Sequence, residues 1–178
     1  METIKYISIK RIGLLVLSLV LAFSSCRKDE EVVPITVSKT ARGQELRNIG
    51  AFYLLNEGNM GSNKATLDYF DFSTGNYMRN LFAMRNPSVN KELGDVGNDL
   101  QIYGSKLWAV INNSHLIEVM DVSKAKHIAA IPISNARYVA FKGSYAYVSS
   151  YAGEVRLDPN ARLGYVAKID TATLSEVQ

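Results

Sequence analysis

From Ala51 onward the chain is a succession of short apolar runs rich in Tyr, Val, Ile, Leu and Phe, set apart by Gly, Asn and Ser. No window sustains a 3.6-residue period over an ordinary helix length, so the pattern predicts strands throughout and an all-β fold. The predicted strands are 51–56, 65–71 and 77–83, then 98–103, 106–111, 115–121 and 126–132. A last group spans 137–142, 145–150, 164–170 and 174–178, with a long loop at 151–163 that contains Pro159. Asn112-Asn113-Ser114 is the expected turn of the middle hairpin.

Three segments fall into register: Leu67 to Gly75, Ile117 to Ala125 and Val166 to Leu174. Their aspartates, Asp71, Asp121 and Asp170, lie 50 and 49 residues apart. A carboxylate at a strand end can accept backbone N–H bonds two residues on and so start a tight turn. Phe70, Met120 and Ile169, each just before the aspartate, are apolar as a buried strand position requires. A second correspondence aligns Leu100–Val110 with Val139–Ser149, so that Gly104 and Gly143 supply equivalent hairpin turns. A recurring unit of about 50 residues built from four antiparallel strands is the size of a β-propeller blade, with a solenoid as the alternative. The units span about 51–83, 97–132 and 137–178, and the first lacks an obvious innermost strand.

Closed propellers typically need four to eight blades, so two to three blades predict an incomplete ring. Uncapped repeat arrays expose edge strands, which favours a fragment whose missing inner strand would come from an absent C-terminal part. The alternative is that partial rings assemble between chains.

The first half-hundred residues follow different rules. Lys5, Lys10 and Arg11 precede an apolar run from Ile12 to Phe23. Twelve residues at the helical rise reach about 18 Å, short of a hydrocarbon core of roughly 30 Å. A basic start, a short apolar stretch and small residues Ser24 and Ser25 predict an export signal over residues 1–25. Cys26, the only cysteine, follows directly. Leu21-Ala22-Phe23-Ser24-Ser25-Cys26 resembles a bacterial lipobox, which implies that Cys26 becomes the acylated first residue; Ala22-Phe23-Ser24 also suits an ordinary signal peptidase. Residues 26–48 are then the lipidated cysteine and a flexible tether, whose r.m.s. span is roughly 26 Å. By composition Lys28-Asp29-Glu30-Glu31 is a solvated charged linker. It also resembles the surface-export signal of Bacteroidetes-type lipoproteins, which implies an outer-membrane anchor facing the cell exterior.

Charge changes the list of partners. Lys plus Arg number 20 against 17 Asp plus Glu, a net +3. Most of that excess lies in the export signal, so the tether and blades carry little charge to attract phosphate backbones, and no nucleic-acid partner is expected.

Three stretches in order carry a further resemblance: Tyr53 to Asn59 with Gly61 to Leu67, then Gly94 to Asp99, then Ala136 to Ala140. Residues 50–178 resemble Bacteroidetes cell-surface β-propeller lipoproteins related to YncE-type and YVTN-repeat propellers. The resemblance implies a binding module without a cofactor. Some relatives capture corrinoids and hand them to a TonB-dependent transporter, and many have no assigned ligand.

Asn56, Glu57, Asn59, Asp95, Asn98 and Asp99 stand at strand ends beside Gly58, Gly61, Gly94 and Gly97. Such loops either form a polar rim that binds a small molecule or Ca²⁺, or supply turn geometry and capping bonds. Arg137 and Tyr138 open an inner strand, where they either face a central channel or tie blades together, through Asp99 for instance. Trp108, Tyr145 and Tyr147 are expected in the packing between blades. His115 and His127 are the only histidines, and no Gly-x-Ser-x-Gly elbow, P-loop or Gly-x-Gly-x-x-Gly occurs. The expectation is a binding protein and not an enzyme. A propeller hydrolase or lyase using a histidine, and a scaffold that binds only protein, are the alternatives.

Overall fold

The computed structural model describes residues 32–39, 50–89, 92–153, 160 and 162–177. The export signal, Cys26 and much of the 26–48 tether lie outside the described residues. The elements are β1 (Thr36–Lys39), β2 (Ala51–Asn56), β3 (Thr66–Asp71), β4 (Asn76–Arg79), α1 (Leu81–Arg85), β5 (Gly97–Tyr103) and β6 (Lys106–Ile111). Then follow β7 (Leu116–Asp121), β8 (His127–Pro132), β9 (Ala136–Lys142), β10 (Tyr145–Ser150) and β11 (Tyr165–Asp170). They form three antiparallel sheets, ordered β1-β4-β3-β2, β5-β6-β7-β8 and β9-β10-β11. The fold is all-β, and its sheets of three or four strands are compatible with propeller blades.

The 50-residue repeat has one local cause, seen three times. Asp71 Oδ1 accepts the Ser73 and Thr74 N–H groups at 2.8 and 3.4 Å. Asp121 Oδ1 accepts those of Ser123 and Lys124, both at 2.9 Å. Asp170 Oδ1 accepts those of Ala172 and Thr173 at 2.8 and 2.9 Å. Four residues on, Gly75, Ala125 and Leu174 all take a left-handed backbone and donate N–H to the aspartate carbonyl at 2.9, 2.8 and 2.9 Å. The residue after each aspartate donates to the carbonyl of Gly50, Ser105 or Ser144. Each aspartate thus locks its turn to the neighbouring hairpin in the same way.

The two-residue loops Gly104-Ser105 and Gly143-Ser144 are also equivalent, joining Tyr103 to Lys106 and Lys142 to Tyr145. Both glycines sit at φ 59°, the left-handed value that matches a hairpin's turn to the twist of its strands.

Two apolar layers separate the three sheets. Leu67 with Tyr53, Leu55 and Tyr69 of the first sheet packs with Leu107, Ala109, Ile111 and Met120 of the second. The second sheet's other face, Trp108, Val110, Ile117 and Val119, packs with Val139, Ala146, Val148, Ala167 and Ile169 of the third. Trp108 is fully buried, as expected. Tyr145 and Tyr147 are not in this layer: Ala146, Val148 and Ser150 are the buried residues of β10, so the half-buried tyrosines alternate onto the third sheet's outer face.

Three other expectations change. The strand expected at 77–83 stops at Arg79, because Asn80 takes a left-handed backbone (φ 53°) and donates its N–H to Asp68 Oδ1 at 2.9 Å. Leu81, Phe82 and Ala83 then enter the core from α1. Residues 36–39 of the expected tether form β1, which pairs with the outer edge of β4. The first sheet's fourth strand is therefore an outer one, and among the described residues no strand pairs with the free edge of β2. Of the strand expected at 174–178, only an isolated bridge between Glu176 and Ile169 forms.

Candidate functional site

Chain connectivity gathers the β2–β3 loop, the 92–96 segment, the β6–β7 turn and the starts of β5 and β9 at one end of the sheets. All eight candidate residues lie at this end, where a chain of hydrogen bonds links the loops.

Asp95 is the centre of that chain. Its Oδ2 accepts the Gly61 N–H at 2.8 Å and Asn113 Nδ2 at 2.5 Å, and its Oδ1 accepts the Asn63 N–H at 3.3 Å. Its own N–H donates to Ser114 Oγ at 2.8 Å. The carboxylate is buried and joins a loop of the first sheet to a hairpin of the second. Gly94 just before it has φ 138°, and a Cβ there would stand 2.6 Å from Ile111 Cγ2, so only glycine lets the segment lie this close.

Asn98 and Asp99 connect the second sheet to the third. Asn98 Nδ2 donates to the Arg137 carbonyl at 2.6 Å. Asp99 Oδ2 accepts the Val139 N–H at 2.9 Å, while its Oδ1 accepts the Leu100 N–H at 2.9 Å and Gln101 Nε2 at 3.1 Å. For these two residues and Asp95, side-chain bonding capacity goes into fold architecture. The Arg137 guanidinium lies 5.4 Å from the centre of the Tyr151 ring, and its buried Nε has no partner among the described residues. Tyr138 is 60% exposed. Glu57 and Asn59 are exposed; Glu57 accepts the Gly97 N–H through its carbonyl, and Asn59 accepts the Ser62 N–H through its own. Among the described residues the Glu57 carboxylate has no hydrogen-bond or ion-pair partner.

Asn56 belongs to a different arrangement, which the sequence alone did not single out. It donates Nδ2 to Thr66 Oγ1 at 2.9 Å and lines a cavity of about 490 Å³ with Lys64, Thr66, Asp68, Tyr77 and Arg79. The strand period puts Asn56, Thr66 and Asp68 on one face, since Asn56 pairs with Thr66 in the register. Asp68 is buried; its Oδ2 accepts the Tyr77 hydroxyl at 2.5 Å and its Oδ1 the Asn80 N–H. Burial, helped by this hydrogen bond and the Asp68 charge, pushes the Tyr77 phenol up to about 12. Lys64 Nζ is 3.5 Å from Glu92 Oε1. Arg79, an exposed wall residue, has no ion-pair partner among the described residues. The charges of Asp68 and Lys64 are thus spoken for, and a guanidinium remains for a ligand.

The second sheet carries an equivalent acid. Glu118, nine residues before His127 as Asp68 is before Tyr77, places Oε1 2.5 Å from His127 Nδ1. Burial raises the Glu118 carboxyl above its ordinary range, with the imidazole bond opposing. His115 Nδ1 accepts the Asn135 N–H at 3.0 Å. Among the described residues neither imidazole is hydrogen-bonded to a serine or threonine hydroxyl, and no cluster of three or more His, Cys, Asp or Glu is placed to hold a metal ion.

No protein-family model matches the chain, and no curated protein matches it either. Among the described residues no helix is long and apolar enough to cross a membrane.

Proposed function

We propose that this chain is a ligand-binding module of propeller-type blades, anchored to an outer membrane through lipid on Cys26, facing the cell exterior and serving a TonB-dependent transporter. The anchor rests on Lys5, Lys10 and Arg11, the 12–23 apolar run and the lipobox-like 21–26 segment. The blades rest on the threefold equivalence of the turns at Asp71, Asp121 and Asp170. The ligand is a small polar anion.

One observation carries the ligand assignment: a cavity of about 490 Å³ whose polar wall offers the Arg79 guanidinium, which has no ion-pair partner among the described residues. The volume lies within the range that encloses small molecules, and a guanidinium presents paired donors to a carboxylate or phosphate. Asn56 and Thr66 add hydrogen-bonding capacity beside it.

Titration calorimetry of the full chain in detergent micelles with citrate and with inorganic phosphate tests this. Saturable binding is expected for at least one, with Arg79→Ala weakening it about tenfold or more. Binding by neither anion, or an unchanged affinity in Arg79→Ala, overturns the site. Metabolic labelling with a fatty acid tests the anchor; label retained by Cys26→Ala contradicts it.

A further inference from the structure

Tyr53, Tyr69 and Met78 make one row across β2, β3 and β4, because Tyr69 pairs with both of the others in the register. The row packs toward the second sheet, with the Tyr53 and Tyr69 ring centroids 5.1 Å apart. Tyr53 donates its hydroxyl to the Val122 carbonyl at 2.6 Å, which fixes the Asp121 turn beside the row. Helix α1 supplies another wall, since Leu81 and Arg85 stand four residues apart and so share one of its faces. Between row, helix and turn lies a cavity of about 100 Å³, completed by Ser123 and Lys124. It sits at the end of the sheets opposite the candidate loops, because β7 runs from the β6–β7 turn toward Asp121.

Its lining is divided by chemistry. Met78, Leu81 and the two tyrosine rings give an apolar floor, while Arg85 and Lys124 are exposed and stand at the mouth. Among the described residues neither cation has an ion-pair partner. The nearby carboxylates are occupied by their own turns: Asp121 accepts the Ser123 hydroxyl and the N–H groups of Ser123 and Lys124, and Asp71 does the same for Ser73 and Thr74. Burial, then Tyr69 and Asp121, raise the Tyr53 phenol, and the Arg85 charge opposes them, so the guanidinium's field reaches the aromatic wall.

The repeat does not account for these charges. Between the second and third sheets the equivalent row is Trp108, Val119 and Ala129, and the equivalents of Ser123 and Lys124 are Ala172 and Thr173. Arg85 has no counterpart there, because β8 is followed by β9 with no helix between. A cationic mouth over an apolar floor is thus particular to the first interface.

We propose that this cavity binds a small aliphatic carboxylate, its charged end between Arg85 and Lys124 and its short tail against Tyr69, Met78 and Leu81. Two cations at the mouth exclude a cationic ligand, and a guanidinium offers paired donors to a carboxylate. The space of roughly three water molecules limits the tail to a few carbons. The site is separate from the Arg79 cavity, which lies on the other face of the first sheet: Tyr77 and Arg79 alternate with Met78 along β4.

Saturation-transfer NMR on the full chain in deuterated detergent micelles, titrated with propionate and with acetate, tests the site. Propionate is expected to bind saturably and acetate about fourfold more weakly, the effect of one methylene withdrawn from the apolar floor. Arg85→Gln and Lys124→Gln, both at exposed positions, are each expected to weaken propionate binding about tenfold, as loss of a charged hydrogen bond does. Arg79→Ala is expected to leave it unchanged, which keeps this site's failure distinct from that of the larger cavity. Circular dichroism checks that each variant keeps its strand signal. Absence of propionate binding, equal affinity for acetate, full affinity in both glutamine variants, or loss of binding in Arg79→Ala each overturns the proposal.

Discussion

At Asp71, Asp121 and Asp170 the same carboxylate does the same work in an exposed position, and its titration reports on the turn. Hydrogen bonds hold all three below the ordinary carboxylate range: chiefly the Ser73 hydroxyl at Asp71, the Ser123 hydroxyl at Asp121 and the Thr173 N–H at Asp170. A folded-state value below the unfolded one means that the stabilisation is fully present above about pH 4, and is lost as pH falls through the depressed values. Melting temperature should therefore drop on acidification. Asp121→Asn should lose that site's share of the acid dependence while keeping most of the turn, whereas Asp121→Ala should lower the melting temperature at neutral pH as well. A pH series of thermal melts by circular dichroism distinguishes them; identical acid profiles for Asp121→Asn and wild type would contradict the assignment. Tyr77 works with the opposite sign. Its raised phenol value, about 12, makes stability decline as pH rises from about 10. Spectrophotometric phenol titration should lose its latest-ionising component in Tyr77→Phe.

Among elements, strands with one or both faces buried announced themselves in the sequence, and the fully exposed one did not. β6, β7 and β10 alternate or run apolar between turn residues, and their observed bounds lie within one residue of the expected ones. β1 has all four residues exposed, so no pattern marks it, and its pairing with β4 follows only from the folded sheet. The run Leu81-Phe82-Ala83 is apolar in either a strand or a helix, and the left-handed Asn80 settles it for α1. Asn80→Ala should cost about 1–3 kcal/mol through left-handed strain and the lost bond from Asn80 Nδ2 to the Val33 carbonyl, measured by urea unfolding. Sheet packing sets a larger scale. Trp108→Ala should cost roughly 3–5 kcal/mol, because the second and third sheets, between which the ring lies, hold the cavity open.

For the molecule as a whole, loop residues gathered at one end were legible as a group, but their division of labour was not. Asp95, Asn98 and Asp99 stand where polar loops converge, yet they bind backbone and neighbouring side chains of adjacent sheets. A sequence cannot separate a ligand-binding carboxylate from one that bonds the next loop, because both use the same residue types beside glycine. Cavity residues Thr66, Tyr77 and Arg79 were illegible for another reason: Thr66 comes from β3 and the other two from β4, and they meet only when the two strands pair. Asp95→Ala leaves the Gly61 N–H and Asn113 amide without their acceptor, a loss of about 1–3 kcal/mol in urea unfolding. Glu57→Ala, at an exposed side chain with no partner among the described residues, should leave the unfolding midpoint unchanged.

The placement of β1 bears on how the protein meets mechanical load. Among the described residues β1 is the first strand that tension entering from the N-terminal side reaches, it pairs with β4 alone, and all four of its residues are exposed. Thr36–Lys39 therefore acts as a sacrificial clasp that peels away at low force while the three-sheet body stays intact. Optical-tweezers traces should show a small early extension ahead of the main rupture, and a single rip with no earlier step would contradict it.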